Sequence, residues 1–166
     1  MVNAFIGLGS NLDNPKGHVI QALKELNQLT NSQLLLASKL YLSKPVGPQD
    51  QDDFVNAVAL ISTELDAHAL LDELQALEQK HQRVRIQHWG PRTLDLDLLL
   101  YGNQTIHTAR LTIPHIEIAN RSFVLQPLAE ITPELIFPNG IALQELLRQC
   151  PTDGLVSLED IASLDP

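Results

Sequence analysis

Two aspartates one residue apart, Asp95 and Asp97, stand inside an otherwise apolar run, Leu94-Asp-Leu-Asp-Leu-Leu-Leu-Tyr101. Successive side chains of a strand alternate between its faces, so both carboxylates point one way while Leu94, Leu96 and Leu98 point the other. At about 3.3 Å rise per residue their Cβ atoms lie roughly 6.5 to 7 Å apart, within reach of a shared metal ion or a close metal pair. Two like charges that close in a low-dielectric setting need a cation between them or a raised pKa. An exposed edge strand could instead carry two solvated aspartates with no function. The run Leu98-Leu99-Leu100 implies burial on both faces further along. Only the aspartate end then has to meet solvent, and the cost of burying charge favours a functional site.

The cations of the chain gather around this pair. Residues 80–121 hold Lys80, Arg83, Arg85, Arg92, Arg110 and Arg121 against Asp95, Asp97 and Glu117, a local balance of +3 in a chain of net charge −9. The remainder therefore carries −12. Guanidinium forks match phosphate oxygens, and an acidic surround restricts where an anion can settle. A small phosphorylated ligand in a pocket fits this distribution better than a long polyanion.

Elimination narrows the metal and the chemistry. There is no HExxH, no cysteine cluster, and no EF-hand continuation after Asp97, where Leu99 and Leu100 occupy the positions that need polar residues and glycine. Two hard carboxylates with arginines nearby fit Mg²⁺ carrying a nucleotide phosphate. No serine, cysteine or lysine stands beside an evident base, so covalent catalysis has no support. Phosphoryl-type transfer can run on metal charge, arginines and in-line positioning.

The elements that must position these groups follow from periodicity. Val2 to Leu8 reads as a strand. Gly7-Leu-Gly-Ser-Asn-Leu after it lacks the third glycine of a dinucleotide loop, so a tight strand-to-helix turn is the expectation. Asn14-Pro15 opens a helix, with Val19, Ala22, Leu23, Leu26 and Leu29 on its apolar face. Gln33 to Leu42 reads as a second strand with Leu34, Leu36, Leu40 and Leu42 on one face. A proline-stiffened loop, 43–53, precedes a third strand, Phe54 to Thr63. On that strand Phe54, Asn56, Val58 and Leu60 share a face, so an aromatic ring and an amide lie side by side. The amide could satisfy backbone groups or read the edge of a flat heterocycle stacked on Phe54.

Asp66 is placed to cap a second helix reaching about His81, with Leu70, Leu74 and Leu77 as its core stripe. Gln75 and Glu78 lie together off that stripe, by default a solvated face. Residues 82–93 form a long polar loop that delivers three arginines and Trp89 beside the aspartate strand. Further on, Gln104 to Thr108 reads as a short strand, Ile116 to Phe123 as a short helix, and Leu143, Leu146 and Leu147 as a last helix. The order β-α-β-β-α-β predicts an α+β fold, a ferredoxin-like sandwich with a mainly antiparallel sheet, helices packed on it, and C-terminal helices added. Helices on one face would leave the opposite face for ligands.

Composition suits one domain over residues 1–166, with a peripheral tail from about Thr152: 44% of residues are apolar and 19% charged. No run approaches the roughly 20 apolar residues that span a bilayer, and the N-terminus has no basic leader. Cys150, the only cysteine, excludes an internal disulfide and fits a reducing, cytoplasmic setting. Its helical position makes it a core residue rather than a nucleophile.

The stretch Trp89-Gly-Pro-Arg-Thr-Leu-Asp-Leu-Asp-Leu-Leu-Leu-Tyr-Gly102 resembles the signature of the 6-hydroxymethyl-7,8-dihydropterin pyrophosphokinase family of folate biosynthesis. Gly9-Ser-Asn-Leu12, Pro45-Val-Gly-Pro-Gln-Asp-Gln51, Arg83-Val-Arg85, and Pro114-His115 with Asn120-Arg121 and Phe123 agree in order, so the resemblance covers about residues 2–140. It implies transfer of pyrophosphate from MgATP to the pterin hydroxymethyl oxygen, with release of AMP. By matching positions it implies that Asp95 and Asp97 bind two Mg²⁺ ions and act in catalysis with Arg83 and Arg92. Gln75, Glu78, Arg85, Leu98, Arg110, Thr112, His115 and Arg121 would hold the nucleotide. Ser43, Pro45, Val46, Phe54, Asn56, Trp89 and Phe123 would hold the pterin. A monomer acting on these two small molecules, without nucleic acid or membrane, is the accompanying expectation. The chain departs from the family's frequent pattern at Ile116, at Phe54, and in a loop one residue shorter between Arg85 and Trp89. A two-metal nuclease or nucleotidyltransferase would need a polyanion groove that the −12 remainder disfavours, and a non-catalytic ligand sensor would leave the aspartates merely solvated.

Overall fold

The computed structural model describes residues 1–11, 14–43, 54–82, 93–116, 118, 121–150 and 156–157. Strand β1 (Val2–Ser10) runs between β4 (Phe54–Thr63) and β5 (Asp95–Tyr101) in a six-stranded sheet of order β5-β1-β4-β3-β8. Strands β2 (Ser32–Ala37) and β3 (Tyr41–Ser43) both pair with β4, and every pairing is antiparallel. This is the ferredoxin-like α+β arrangement that the element order implies. Strand β8 (Val156–Ser157), from the acidic tail, adds to the outer edge of β3. A separate two-stranded ribbon joins β6 (Ile106–His107) to β7 (Thr112–Ile113).

Residue alternation sorts the sheet into two faces. Ala4, Ile6 and Leu8 of β1, Val55, Ala57, Ala59 and Ile61 of β4, and Leu96 and Leu98 of β5 pack against α1 (Pro15–Leu26) and α2 (Ala67–Gln82). Fully buried leucines such as Leu26, Leu70 and Leu74 each contribute about 1.5–3 kcal/mol by leaving water. The opposite face is not left open along its length. Phe5, Val58, Leu60, Leu99 and Leu100 meet Val124, Leu125 and Leu128 of α3 (Ser122–Ile131) and Leu143 of α4 (Leu143–Gln149). Leu99 and Leu100 both reach this face because the β1–β5 register shifts between Phe5 and Ile6, a bulge that spends one extra residue.

Local chemistry sets the element ends. Asn14 adopts a left-handed conformation and its side chain accepts from the Gly17 amide, with Pro15 opening α1, which ends at Leu26 rather than Leu29. Asp66 Oδ1 accepts from the Ala69 amide at 2.8 Å and caps α2. The single strand expected over 33–42 is two strands. The buried Ser38 interrupts it, taking the Val58 amide on its hydroxyl at 2.9 Å while its own amide donates to the Val58 carbonyl at 2.8 Å. A register shift between Leu34 and Leu36 turns Leu36 outward, where it is 47% exposed, and puts Ala37 toward the core instead. The helix expected at 116–123 instead starts at Ser122 and continues through Pro127 to Ile131. Its apolar face supplies the second core, which outweighs the hydrogen bond that proline removes. Cys150 closes α4, packed on this core, and burial pushes its thiol pKa up. No described helix is long and apolar enough to cross a membrane.

A polar chain ties the start of α1 to the end of α2. His18 Nδ1 lies 2.6 Å from His81 Nδ1, His81 Nε2 lies 2.6 Å from Glu25 Oε1, and Lys80 Nζ lies 2.9 Å from Glu25 Oε2. Burial alone would raise the Glu25 carboxyl, but hydrogen bonds from His81 and Lys80 and their charges outweigh it and hold the pKa below its ordinary 4.5. A depressed folded-state pKa gives stability that is present above the unfolded value and lost as pH falls through the folded one. The expected outcome is that unfolding free energy from urea titration falls more steeply below about pH 4.5 in the wild type than in Glu25→Gln. Equal acid limbs would show that another group carries the linkage.

Candidate active site

Two glycines on β1 make the floor of a cavity of about 290 Å³ on the second face of the sheet. Gly9 pairs with Asn56 of β4 on one side and Asp95 of β5 on the other, and Gly7 pairs with Val58 and Asp97. Side chains on the flanking strands thus stand on either side of a trough where β1 presents none. A Cβ on Gly9 would sit 3.3 Å from Asn56 Oδ1, and one on Gly7 would sit 3.4 Å from Leu99. The expectation of a strand-to-helix turn at Gly7-Leu-Gly-Ser is corrected here: all four residues belong to β1. These glycines are needed for what they lack over the cavity, not for a turn.

The cavity is lined by Asp95 and Asp97 on β5, Phe54 and Asn56 on β4, Ser43 at the end of β3, and Arg121, Phe123 and Val124 at the start of α3. The pattern of β5 does what its sequence requires: Leu96 and Leu98 are in the helix-side core, and both aspartates face the trough. Asn56, 4% exposed, donates from Nδ2 to Ser43 Oγ at 2.6 Å and presents Oδ1 above Gly9. Phe54 adjoins it, so a hydrogen-bonding amide and an aromatic surface meet on one wall. Arg121 lies with Cζ 5.5 Å from the centre of the Phe123 ring, a cation–π contact that holds a positive charge at the cavity. His115 Nε2 is 3.9 Å from Asp97 Oδ1, too long for a direct hydrogen bond, and the His115 amide donates to the Leu99 carbonyl at 3.0 Å.

Other expected site residues lie outside this cavity. Arg110 donates to Asp72 at 2.6 Å and to Gln75 at 3.2 Å, so Gln75 and Arg110 meet on the exposed side of α2. Glu78 Oε2 accepts from the Leu96 amide at 2.8 Å, on the edge of β5 away from β1. Leu98 is 3% exposed with its side chain in the core, which leaves its backbone as the part a ligand could reach. Thr112 is on β7. Pro45, Val46, Arg83, Arg85, Trp89 and Arg92 fall outside the described residues. Gly7, Gly9, Ala57 and Val124 are cavity residues that sequence reasoning missed. The available signal was two glycines at a spacing of two inside an apolar run, the spacing of residues on one strand face.

The donor set suits a hard cation shared with a ligand. Among the described residues no group of three or more His, Cys, Asp and Glu side chains converges as a metal site. Two carboxylates beside an open trough could hold such a cation, the donor pattern of Mg²⁺ bound through one or two carboxylates plus substrate phosphates. Fold and cavity together define a ferredoxin-like α+β domain with an acidic and aromatic pocket for a small ligand.

The family model for 7,8-dihydro-6-hydroxymethylpterin-pyrophosphokinase matches residues 5–133. A 2-amino-4-hydroxy-6-hydroxymethyldihydropteridine pyrophosphokinase of Haemophilus influenzae is 51% identical over 158 residues, 95% of this chain and 99% of that one. The protein of the same description from Pseudomonas aeruginosa is 47% identical over 154 residues, 93% of this chain and 95% of that one. A solved wild-type Plasmodium falciparum HPPK-DHPS superposes with a TM-score of 0.69 at 13% identity, over 89% of this chain and 41% of the solved chain. That likeness shows the fold, and the chain spans less than half of the solved protein's length. The chain belongs to the 7,8-dihydro-6-hydroxymethylpterin-pyrophosphokinase family. Its reaction is the ATP-dependent transfer of pyrophosphate to the hydroxymethyl pterin in folate biosynthesis.

Placing a branched side chain in the trough should separate fold from function. Gly9→Val suits a strand but brings its Cβ within 3.3 Å of Asn56 Oδ1. It should cost about 1–3 kcal/mol in urea unfolding and lower kcat/KM by about a hundredfold. A variant with near wild-type turnover would show that ligands do not lie over Gly9.

Proposed function

We propose that the trough over Gly7 and Gly9 is where this transfer occurs, with the pterin and the reacting phosphates side by side across β1. The observation that carries this reading is that Phe54 with Asn56, and Asp95 with Asp97, line one cavity from opposite neighbours of the same strand. The cavity lies at the small end of ligand sites, which run from about 300 Å³ upward, and suits one flat heterocycle. Phe54 and Phe123 supply aromatic surface for the pterin, and Asn56, steadied by Ser43, reads its hydrogen-bonding edge. Pro45, Val46 and Trp89 join the pterin side by their place in the family signature.

Asp95 and Asp97 would hold two Mg²⁺ ions accompanying ATP, which when bound would supply charge neutralisation at the phosphates and polarisation of the phosphorus under attack. Arg121 and His115 receive phosphate oxygens at the cavity edge, and Arg83, Arg85 and Arg92 complete the cationic set. Arg110, Gln75, Thr112 and the backbone of Leu98 form the nucleotide side. The hydroxymethyl oxygen bonds to the β-phosphorus as the bond from that phosphorus to the α,β-bridging oxygen breaks. AMP keeps the bridging oxygen, and the hydroxyl proton is released.

We assign the reaction to a cytoplasmic monomer, a setting that one cysteine fits. The −12 carried outside residues 80–121 argues against a nucleic-acid partner. Incubated with ATP, Mg²⁺ and the hydroxymethyl dihydropterin, the protein should release AMP in step with pterin diphosphate. Asp97→Asn should lower kcat by about a thousandfold or more with an unchanged circular dichroism spectrum, since the two ions would lose one of their two carboxylates. Retention of most turnover in that variant would remove Asp97 from the metal site.

A further inference from the structure

We infer that Glu78 is a positioning residue that fixes the Asp95-Leu96-Asp97 segment by holding the Leu96 amide, an inference that rests on the two aspartates being the metal-bearing groups. Among the described residues strand β5 is an edge strand, paired only with β1. Antiparallel pairing directs alternate amides away from the partner, and on an open edge such an amide ordinarily faces water. Leu96 N instead donates to Glu78 Oε2 at 2.8 Å, a hydrogen bond strengthened by the carboxylate charge.

The brace falls where the sheet is weakest in side-chain pairing. Cross-strand side-chain contacts stabilise a sheet, and the β1 partners of Asp95 and Asp97 are Gly9 and Gly7, which have none to offer. The same glycines that open the trough therefore give the aspartates backbone pairing but no cross-strand side-chain packing from that side. From the other edge Glu78 holds Leu96 N, and the His115 amide donates to the Leu99 carbonyl at 3.0 Å. Glu78 lies one turn beyond the fully buried Leu74 on α2. It thus does for the carboxylates what outer partners do for metal ligands in general, setting the ligands' direction without touching the ion.

The test needs a readout at Leu96 itself. Amide hydrogen exchange by NMR in the metal-free protein should be faster at Leu96 in E78A, with the amides of the α1 core unchanged; Ala favours the helix, so the fold is kept. The Mg²⁺ concentration for half-maximal AMP release should rise by about tenfold, with KM for the pterin unmoved. E78Q, whose Oε1 can still accept, should recover most of both effects. Unchanged Leu96 exchange in E78A with a raised KM for ATP would overturn the inference and assign Glu78 to the nucleotide. Faster exchange with an unshifted Mg²⁺ dependence would overturn it too, leaving an edge contact of no consequence for the aspartates. The exchange reports on the brace whether or not Asp97→Asn retains activity, so failure of the site assignment is separately visible.

Discussion

The site depends on two missing β-carbons. Strand β1 is the one strand flanked by both the carboxylates of β5 and the amide and ring of β4, and it presents hydrogen atoms at positions 7 and 9. Any larger residue at Gly9 would fill the trough, since its first carbon already meets Asn56 Oδ1 at 3.3 Å. Glycine inside a strand costs roughly 0.5–1 kcal/mol relative to alanine. Ile6 and Leu8, on the other face of the same strand, are almost wholly buried and offset that cost. One strand therefore serves as core on one face and as ligand floor on the other.

The second face of the sheet is shared between packing and chemistry, and the boundary is the bulge in β5. Beyond it Leu99 and Leu100 turn together toward α3 and α4; before it Asp95 and Asp97 face the cavity. Helix α3 spans the boundary. Its first residues with Arg121 bring a ring and a cation to the cavity, and its later residues Val124, Leu125 and Leu128 close the core. Electrostatics follow the same division. Buried Glu25 is paired through His81 and Lys80 on the helix side, and the aspartates stand in an open trough suited to an outside cation.

Much of this was legible in the chain. Asp95-Leu-Asp97, Phe54 with Asn56, and the helix stripes of Val19, Ala22, Leu23 and Leu26 or Leu70 and Leu74 rest on periodicity, which is local. The errors fall where a distant contact overrides it. Ser38 satisfies Val58 across the sheet and so divides the strand expected over 33–42. The helix expected over 116–123 lies instead at Ser122–Ile131, passing through Pro127, because a core waits on its apolar face. Gly7 and Gly9 read as a turn because glycine's usual local role is conformational.

Read as a chain alone, the sequence determined the succession of β1, α1, β4, α2 and β5, the shared faces of Asp95 with Asp97 and of Phe54 with Asn56, the acidic and cationic inventory, and the family signature. These follow from side-chain alternation and residue chemistry along the chain. Only the tertiary structure decided that β1 lies between β4 and β5, so that Asn56 and Asp95 become neighbours through Gly9. It alone placed Glu78 on the Leu96 amide, and Arg110 on Asp72 and Gln75 of α2. Strand neighbours and edge contacts are set by which surfaces bury together, and that choice belongs to the whole chain rather than to any one segment of it.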